Sequence, residues 1–398
     1  MSASSNRQRG PGTSGCGCAT TERAVDQRKR PVRCAHVSDG TDETVGALVR
    51  KIGAAGPRPE IEALRTSYLD VLKLCLCDLA GASTREVRST GDKRWFSREL
   101  SGDDQLRGRA EGKDWTLDGL TMIGLLRLDD LQSCVQSVVE DEVEGDMIEA
   151  GVWRGGASIL IRATLDSLGA DNRTLWLADS FEGFPPPEEQ GVDADRSLAS
   201  DLSGIEFLAP GLEAVHSYFA RFGCEAGLRF VRGFFEETLA QLRGRRWSLI
   251  RLDADTYKAT KLALETLYPG LAAGGYLVLD DYFHPWLPEC RMAVDEYRDE
   301  HGITAPIHQI DWNGGRWCRE DEPAGQETPA PDALEAISGL PCSPPKAPPR
   351  IATDRELQLD DQLTAAHARV EALQAEVKAL ERAPFAGTRA WARAKLRR

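Results

Sequence analysis

The segment GDMIEAGVWRGGASILIRATL, residues 145–165, decides how the rest of this 398-residue chain is interpreted. It predicts a short apolar strand that ends in Glu149, followed by a glycine turn and an apolar helix. Gly151, Gly155 and Gly156 leave room for a ligand to approach the backbone at the helix N-terminus. Their spacing, E-x-G-x-x-x-G-G, differs from the G-x-G-x-x-G of nicotinamide-binding domains, and the acid favours an amino-acid or ribose-bearing ligand. A plain strand-to-helix turn is the alternative interpretation.

The same alternation of apolar strands and helical patterns continues through residues 116–318, which we predict to form one catalytic domain. Such alternation indicates crossover units on a largely parallel sheet. The predicted strands are Asp146–Ala150, Thr174–Asp179, Leu228–Arg232, Trp247–Asp253 and Tyr276–Asp280. The predicted helices between them include Gly156–Leu168, Leu212–Phe222 and Thr256–Leu271.

A hairpin is predicted to close the sheet. The segment PIHQIDWNGGRWCRE, residues 306–320, has two short strand-like runs around Asn313 and Gly314. We expect this Asn-Gly pair to supply the positive φ angles of a tight turn, which makes the last strand antiparallel. A mostly parallel seven-stranded sheet with an antiparallel C-terminal hairpin is typical of the Rossmann-like class I methyltransferase fold, an α/β architecture. Other doubly wound enzymes also carry an antiparallel edge strand.

Composition divides the remainder of the chain into five segments. The N-terminal residues are mostly polar, which favours disorder, whereas leucines at helical spacing from Leu64 predict a first helix. After the domain, prolines favour an extended linker, and the apolar residues from Leu359 to Leu380 alternate steps of four and three. The predicted segments are a disordered extension over 1–60, a helical cap over 61–115, a linker over 319–350, a coiled-coil-like helix over 351–383 and a basic tail over 384–398.

The C-terminal helix has two possible roles. Its apolar seam can pair with a second copy of the chain, which makes a homo-oligomer, because pairing buries the seam. A single solvated helix lying on its own domain is the alternative. For the basic tail, a solvated segment is favoured over an anchor for an anionic surface.

The overall charge excludes one large class of partners. With 49 Lys and Arg residues against 63 Asp and Glu residues, the formal charge is -14, and an acidic surface repels nucleic-acid backbones. No stretch approaches the roughly 18–20 apolar residues of a membrane span, and the N-terminus lacks the apolar run of a signal peptide. We therefore expect a cytoplasmic protein without nucleic-acid partners or a transmembrane span, whose ten cysteines are mostly reduced thiols.

Asp179 and Ser180 end the second predicted strand. A carboxylate at this place, after the glycine turn, can accept hydrogen bonds from both hydroxyls of a cofactor ribose. The alternative is that Asp179 only caps the turn that follows.

Three more carboxylates lie at the ends of the next strands. Asp253 ends the fourth strand, and Asp280 and Asp281 end the fifth. Because neighbouring parallel strands end at the same edge of a sheet, the three should converge and repel each other, and a hard cation such as Mg²⁺ relieves that repulsion. Helix capping, or pairing with Arg291 or Lys258, is the alternative.

Several segments together resemble the macrocin O-methyltransferase family between about Leu64 and Cys318. They are residues 121–165, WLADSFEGFPPP, FVRGFFEETL, RLDADTYKATKLALETLYPGL with GGYLVLDDY, and CRMAVDEYRDEHGI. The resemblance implies S-adenosylmethionine- and Mg²⁺-dependent methylation of a hydroxyl on a small-molecule or glycan sugar acceptor.

The resemblance also implies roles for individual residues. The implied general base is Asp255, and the implied metal ligands are Asp253, Asp280 and Asp281. The implied cofactor-binding residues are Thr121, Met122, Glu149, Gly151, Gly155, Gly156, Asp179, Ser180, Gly233, Phe234 and Phe235. The segment between Phe184 and Leu212, a mobile substrate cover in the family, has no histidine here, so histidine-assisted deprotonation cannot be carried over. His284 is either a substitute or a structural residue.

We therefore predict an S-adenosylmethionine-dependent O-methyltransferase of natural-product biosynthesis. Two other function classes stay open at this point. One is a non-catalytic interaction protein with a degenerate sheet domain and a coiled-coil tail. The other is a nicotinamide-dependent oxidoreductase on a similar fold, which the glycine spacing disfavours.

Overall fold

The computed structural model describes residues 60–90, 94–186, 195 and 202–320, together with scattered residues between 352 and 375. Most of the predicted N-terminal extension, the predicted linker and the basic tail therefore lie outside the described residues. From residue 60 onward, the described chain belongs to one unit.

The predicted helical cap begins with a helix and also contains a small sheet. Its elements are α1, Glu60–Leu76, β1, Arg85–Ser89, β2, Trp95–Glu99, α2, Asp103–Ala110, and β3, Trp115–Thr116. Helix α1 buries Leu69, Leu72 and Leu76 in the core of the domain. Strands β1 and β2 form an antiparallel hairpin that β3 extends. The sequence pattern does not predict this hairpin, because its strands are short and largely polar.

The domain that follows alternates strands and helices as predicted. Its strands are β4, Asp146–Ala150, β5, Leu175–Asp179, β6, Leu228–Arg232, β7, Trp247–Leu252, β8, Leu271–Leu279, β9, His308–Gln309, and β10, Gly315–Cys318. Its helices are α3, Leu125–Glu140, α4, Gly156–Leu168, α5, Leu212–Phe222, α6, Phe235–Thr238, α7, Tyr257–Leu267, and α8, Pro288–His301. Strand β8 begins at Leu271 rather than at the predicted Tyr276, because a short 3₁₀ turn over Tyr268–Gly270 ends the helical region early.

The central sheet has seven strands in the order β6-β5-β4-β7-β8-β10-β9. Strands β4 to β8 are parallel, and β10 runs antiparallel to both β8 and β9, which confirms the predicted fold class. From β4 the chain builds outward through β5 and β6 on one side and through β7 and β8 on the other. The direction in which strands are added to the sheet therefore reverses at β4. Open α/β sheets bind ligands outside the carboxyl ends of the strands at such a point.

Helices cover both faces of this sheet. Helices α1, α3, α4 and α5 share one apolar cluster on the first face, and α7 and α8 share the other. Helix α4 is covered on every side over its first ten residues, since all of its residues from Gly156 to Leu165 are buried. Strand β7 is also buried along its whole length, as expected for a parallel strand covered on both faces.

The turn of the β9–β10 hairpin differs from the predicted one. Positive φ angles occur at neither Asn313 nor Gly314, so the expected tight Asn-Gly turn is wrong. The Asp311 carboxylate holds the turn instead, because its Oδ1 accepts the N–H groups of Asn313 at 2.8 Å and Gly314 at 2.7 Å. A side chain that takes the place of a turn carbonyl removes the need for positive φ angles.

A short tail strand, β11, Ala352–Thr353, pairs in parallel with β2 at the edge of the small sheet. Arg94 also forms an ion pair with Asp361 at 3.0 Å. The described residues between 355 and 375 are helical, but the predicted coiled-coil seam from Leu359 to Leu380 lies outside the described residues. Self-association through that seam therefore stays a prediction.

Within the described ranges, no helix is both long enough and apolar enough to cross a membrane. The cysteines in these ranges are free thiols, as the sequence analysis predicted.

Truncation after Glu320 should leave the domain folded, because the described tail residues pair with it through a two-residue edge strand and an exposed ion pair. A loss of about 1 kcal/mol shifts the melting temperature of a domain of this size by roughly 2–4 °C, and we expect a shift no larger. Circular dichroism melts of the full-length and truncated proteins test this. Insolubility, or a much larger shift, would contradict it.

Self-association through the predicted seam is tested separately, by light scattering of the full-length protein, the truncated protein and the Leu373→Asp variant.

Candidate active site

A cavity of about 580 Å³ lies at the carboxyl ends of the central strands. Gly151 follows β4, Asp179 ends β5, Asp253 follows β7, and Asp280 and Asp281 follow β8, and all five line the cavity. Its volume is within the roughly 300–1,000 Å³ that is usual for small-molecule sites. The cavity is therefore at the ligand-binding position of the fold.

Most of the predicted site residues meet in this cavity. The predicted cofactor residues that line it are Met122, Gly151, Asp179, Ser180, Phe234 and Phe235. The predicted general base and metal ligands also line it, namely Asp255, Asp253, Asp280 and Asp281. The predicted cofactor residues that do not line it are Thr121, Glu149, Gly155, Gly156 and Gly233.

The glycines after β4 are needed for close packing of the backbone. A Cβ atom at Gly151 would lie 1.8 Å from the carbonyl oxygen of Asp253, and one at Gly156 would lie 2.5 Å from that of Leu120. Gly151 also has a φ angle of +89°, which side-chain-bearing residues rarely adopt. The turn after β4 can therefore contact β7 and the segment before α3 only because these residues are glycines.

Asp179 organises two turns at the edge of the cavity. Its Oδ2 accepts the N–H groups of Val152 at 2.7 Å and Trp153 at 3.1 Å, and its Oδ1 accepts that of Phe181 at 2.7 Å. The capping role that the sequence analysis left as the alternative is therefore real. The Ser180 hydroxyl also donates to Oδ1, over a long 3.4 Å. A carboxylate has about four lone-pair sites, so a ligand hydroxyl would take the place of this long contact.

A buried guanidinium lies beneath the acidic strand ends. Arg251, on β7, is 2% exposed. Its Nη1 donates to Glu149 at 2.5 Å, both of its Nη atoms donate to Asp253 at 3.1 Å, and Nη2 donates to Asp280 at 2.7 Å. Glu149 also accepts a hydrogen bond from the Ser158 hydroxyl. Glu149 is thus committed to partners in the protein interior.

A second buried guanidinium connects Asp280 to the β9–β10 hairpin. Arg127, on α3, donates from Nη1 to Asp280 Oδ2 at 2.6 Å and from Nε to Asp311 Oδ2 at 3.0 Å. Both oxygens of Asp280 therefore accept a hydrogen bond from a guanidinium.

The two guanidiniums give the aspartates different acidities. Burial raises the pKa of Asp280, but Arg127 and Arg251 outweigh burial and lower this pKa overall. Burial, and then the negative charges of Asp280 and Asp253, raise the pKa of Asp281 well above its ordinary value. Burial and Asp280 likewise raise the pKa of Asp253 to about 6. Asp253 and Asp281 therefore hold a proton more readily than Asp280 does.

The carboxylates converge as predicted. Asp253, Asp280 and Asp281 each place an oxygen within 4.8 Å of the others. Two buried oxygens nearby, Asp281 Oδ2 and Asn313 Oδ1, have no hydrogen-bond partner in the part of the chain that the structure describes. Orphaned buried acceptors are rare, and converging oxygens of this kind suit a hard divalent cation.

Asp255 differs from the other aspartates of the cavity. Its φ angle of +56° is unusual for a residue other than glycine, and strained backbone of this kind occurs most often at functional sites. Among the described residues, none donates a hydrogen bond to its carboxylate. Burial, and then the charges of Asp281 and Asp253, raise the pKa of Asp255 well above its ordinary value. An unengaged carboxylate of raised pKa is suited to accept a proton.

Residues 67–319 match the model of the macrocin O-methyltransferase (TylF) family. The chain belongs to this family. This O-methyltransferase is 40% identical over 258 residues to an 8-demethyl-8-(2,3-dimethoxy-alpha-L-rhamnosyl)-tetracenomycin-C 4'-O-methyltransferase of Streptomyces olivaceus. That alignment covers 64% of this chain and 94% of the relative.

Two further comparisons agree. The chain is 37% identical over 255 residues to the mycinamicin III 3''-O-methyltransferase of Micromonospora griseorubida, covering 63% of this chain and 96% of the relative. The solved structure of the O-methyltransferase NovP is 34% identical, with a TM-score of 0.57, and the match covers 65% of this chain and all of NovP.

Neither Arg127 nor Arg251 was predicted to pair with the carboxylates of this O-methyltransferase. Arg291 and Lys258 were the cationic side chains considered as their partners. Arg291 instead binds Asp295 at 3.3 Å, and Lys258 binds Glu236 at 2.6 Å. A signal for Arg251 exists in the sequence, because an arginine inside an otherwise apolar central strand must have a buried partner. No comparable signal marks Arg127, which lies in an ordinary amphipathic helix.

His284 lines the cavity next to two tryptophans. Its ring centroid is 5.4 Å from that of Trp312 and 5.7 Å from that of Trp286. The N–H group of Trp286 donates to Nδ1 at 3.2 Å, and burial lowers the pKa of His284. A neutral ring that accepts at Nδ1 carries its proton on Nε2, so His284 faces its surroundings as a donor.

Arg251→Met should reduce the free energy of unfolding by roughly 3–5 kcal/mol, because it leaves three carboxyls, of which Glu149 and Asp280 are buried, without their shared counter-charge. Arg316→Met is the matched control, since Arg316 pairs with the single carboxylate of Asp130 at 2.8 Å. Denaturant unfolding followed by circular dichroism measures both losses. Equal losses in the two variants would show that the carboxyl network does not depend on Arg251.

Proposed function

We propose that this O-methyltransferase transfers the methyl group of S-adenosylmethionine to a hydroxyl of a sugar on a glycosylated natural product or glycan. We further propose that a divalent cation such as Mg²⁺ binds at the aspartate cluster. The observation that carries the proposal is the meeting, in one cavity, of Asp179, the converging carboxylates and the unengaged carboxylate of Asp255. One relative supports the acceptor class, since its name specifies O-methylation of a rhamnosyl-bearing tetracenomycin.

The cofactor fits the part of the cavity near β4 and β5. S-adenosylmethionine supplies a methyl group on a positively charged sulfur. Asp179 and Ser180 would hold its ribose, Gly151 would let its methionyl part approach the backbone, and Phe234 and Phe235 would flank its adenine. Thr121, Glu149, Gly155, Gly156 and Gly233 would support this wall from behind, without direct contact.

The acceptor fits the other part of the cavity. Trp286, Leu287 and Trp312 line it there, and Trp286 is 80% exposed. The C–H face of a pyranose is apolar, and aromatic rings provide a broad apolar surface with an edge able to donate hydrogen bonds. His284 Nε2–H can donate to a sugar oxygen from the same side. This lining suits a sugar with an apolar aglycone attached.

The aspartate cluster fits a divalent cation. Asp281 Oδ2 is buried without a partner among the described residues, and Asp253 is bonded to Arg251 through Oδ2 only. Asp280 contributes while held by two guanidiniums. When bound, a divalent cation acts as a Lewis acid that lowers the pKa of a hydroxyl and orients it.

Asp255 would remove the proton from the acceptor hydroxyl. Its carboxylate faces the cavity without a competing donor in the described chain, and its raised pKa gives it a stronger affinity for a proton. His284 is less suited to this role because its Nδ1 already accepts the Trp286 N–H group. The oxygen then attacks the methyl carbon in line with the departing sulfur, which requires the two substrates to be held in one fixed orientation.

The two alternative functions account for fewer observations. A non-catalytic interaction protein has no need for a strained, unengaged aspartate in a cavity that carries orphaned oxygens. A nicotinamide oxidoreductase would use the glycine turn to hold a pyrophosphate, whereas these glycines pack against Asp253 and Leu120.

Full-length protein should transfer tritiated methyl from S-adenosylmethionine to p-nitrophenyl α-L-rhamnopyranoside or another glycoside in an acceptor panel. Excess EDTA should abolish the transfer and Mg²⁺ should restore it, because the hydroxyl otherwise stays protonated. Product analysis by mass spectrometry locates the methyl group. Full activity in EDTA would overturn the cation proposal, and labelling of phenols but of no sugar would overturn the acceptor class.

Asp255→Asn should lower kcat by about 10²–10⁴-fold, the usual contribution of a general base, and leave the cofactor Kd nearly unchanged. The reason is that Asp255 acts on the acceptor proton and contributes little to holding the sulfonium. Single-turnover kinetics and isothermal titration with S-adenosylmethionine measure the two quantities.

Asp179→Asn is the matched variant with the opposite expectation. It should weaken cofactor binding by about 1–3 kcal/mol while changing kcat less, because charge-assisted hydrogen bonds to the ribose are lost. A collapse of cofactor affinity in Asp255→Asn would assign Asp255 a structural role.

A further inference from the structure

We propose that Asn313 is a fourth ligand residue of the cation site and supplies its neutral side-chain oxygen, Oδ1. The inference rests on the proposed cation-dependent function and adds a residue from outside the strand-end aspartates. Asn313 lies in the β9–β10 turn, which packs against the cavity from the far edge of the sheet.

Asn313 is buried and only half satisfied. It is 4% exposed and lines the cavity. Its Nδ2 donates to Asp281 Oδ1 at 3.2 Å, whereas its Oδ1 has no partner among the described residues. An unsatisfied buried amide oxygen is destabilising, so a ligand that binds it gains a favourable interaction.

The contact with Asp281 determines which way the amide points. Asp281 must be ionised to bind a cation. If the oxygen and nitrogen of Asn313 were exchanged in that state, Oδ1 would face the Asp281 carboxylate and two acceptors would be in contact. The hydrogen bond therefore places the side-chain Nδ2–H group of Asn313 towards Asp281 and leaves the side-chain oxygen, Oδ1, without a partner in the described chain. Asp281 Oδ2 is orphaned in the same way, so two adjacent residues present bare oxygens at one buried site.

The backbone of Asn313 is held in place on both sides. Its N–H group donates to Asp311 Oδ1 at 2.8 Å, and its carbonyl oxygen accepts the N–H group of Phe283 at 2.8 Å. Asp311 is itself bound to Arg127, which also binds Asp280. The side chain is thus positioned by the same network as the aspartates, before any ion binds.

Charge explains why an amide is useful here. Both oxygens of Asp280 accept hydrogen bonds from guanidiniums, which makes Asp280 a weaker ligand for a cation than Asp253 or Asp281. A further carboxylate would add to the repulsion among three acids whose oxygens already lie within 4.8 Å of one another. A neutral amide oxygen adds a ligand without adding repulsion, and hard divalent cations accept amide as well as carboxylate oxygens.

The test is Mn²⁺ binding to the full-length protein, measured from the free-ion signal by electron paramagnetic resonance without cofactor or acceptor. Asn313→Leu and Asn313→Ala should each raise the Kd for Mn²⁺ by at least about tenfold. Asn172→Leu is the matched control, since Asn172 is an exposed asparagine distant from the cavity lining, and it should leave the Kd unchanged. Near-UV circular dichroism checks the fold of each variant.

Asn313→Asp separates a ligand from a merely positioning residue. Aspartate supplies an oxygen at this position but cannot donate an N–H group to Asp281. If Oδ1 is a ligand, Asn313→Asp should bind Mn²⁺ within about threefold of the wild-type protein, or more tightly because it adds a charged ligand. If Asn313→Asp is instead as weak as Asn313→Leu, the amide acts only through its N–H group, and the inference is overturned.

Two other results also decide the matter. Wild-type affinity in Asn313→Leu would overturn the inference while the proposed function stands. Absence of Mn²⁺ binding in the wild-type protein would overturn it as well, and the methyl-transfer assay with EDTA then shows whether methylation survives without a cation.

Discussion

The structure depends on one buried guanidinium, that of Arg251, placed where three strands end in acids. Glu149, Asp253 and Asp280 belong to neighbouring strands, and their carboxyls lie close together in an interior that screens charge poorly. Without a counter-charge, their mutual repulsion would destabilise the sheet at this point. The carboxyl ends of β4, β7 and β8 are therefore stabilised by ion pairs with the same aspartates that line the proposed reaction site.

The neutralisation is incomplete. Arg127 and Arg251 satisfy Asp280 fully and lower its pKa, but they leave Asp281 Oδ2 without a donor and the pKa of Asp281 raised. Asp255 receives no hydrogen bond from the described chain. Buried carboxyls without hydrogen-bond partners lower the stability of the fold. Here they leave oxygens at the cavity wall that can bind a cation or accept a proton. The arginines hold the fold together, and the remaining oxygens carry the proposed reaction.

Local sequence signals were sufficient for elements whose conformation depends mainly on their own residues. Strand β4 and helices α4 and α5 have the predicted bounds, because their apolar periodicity and flanking glycines agree. The β9–β10 turn was predicted wrongly, since the Asn-Gly pattern competes with the Asp311 side chain. The β1–β2 hairpin was missed for the opposite reason, because its strands are polar and depend on packing.

The sequence by itself determined the fold class, the family and the strand-end acids, because periodicity, order of elements and motif spacing are properties of neighbouring residues. Only the tertiary structure decided which arginine and asparagine side chains bind those acids. Arg127 and Asp280 are 153 residues apart, and Asn313 and Asp281 are 32 residues apart. Electrostatic pairing depends on distance in space, and only the folded sheet brings these groups within hydrogen-bond range. For the same reason, the orphaned oxygen of Asn313 has no counterpart in any local pattern.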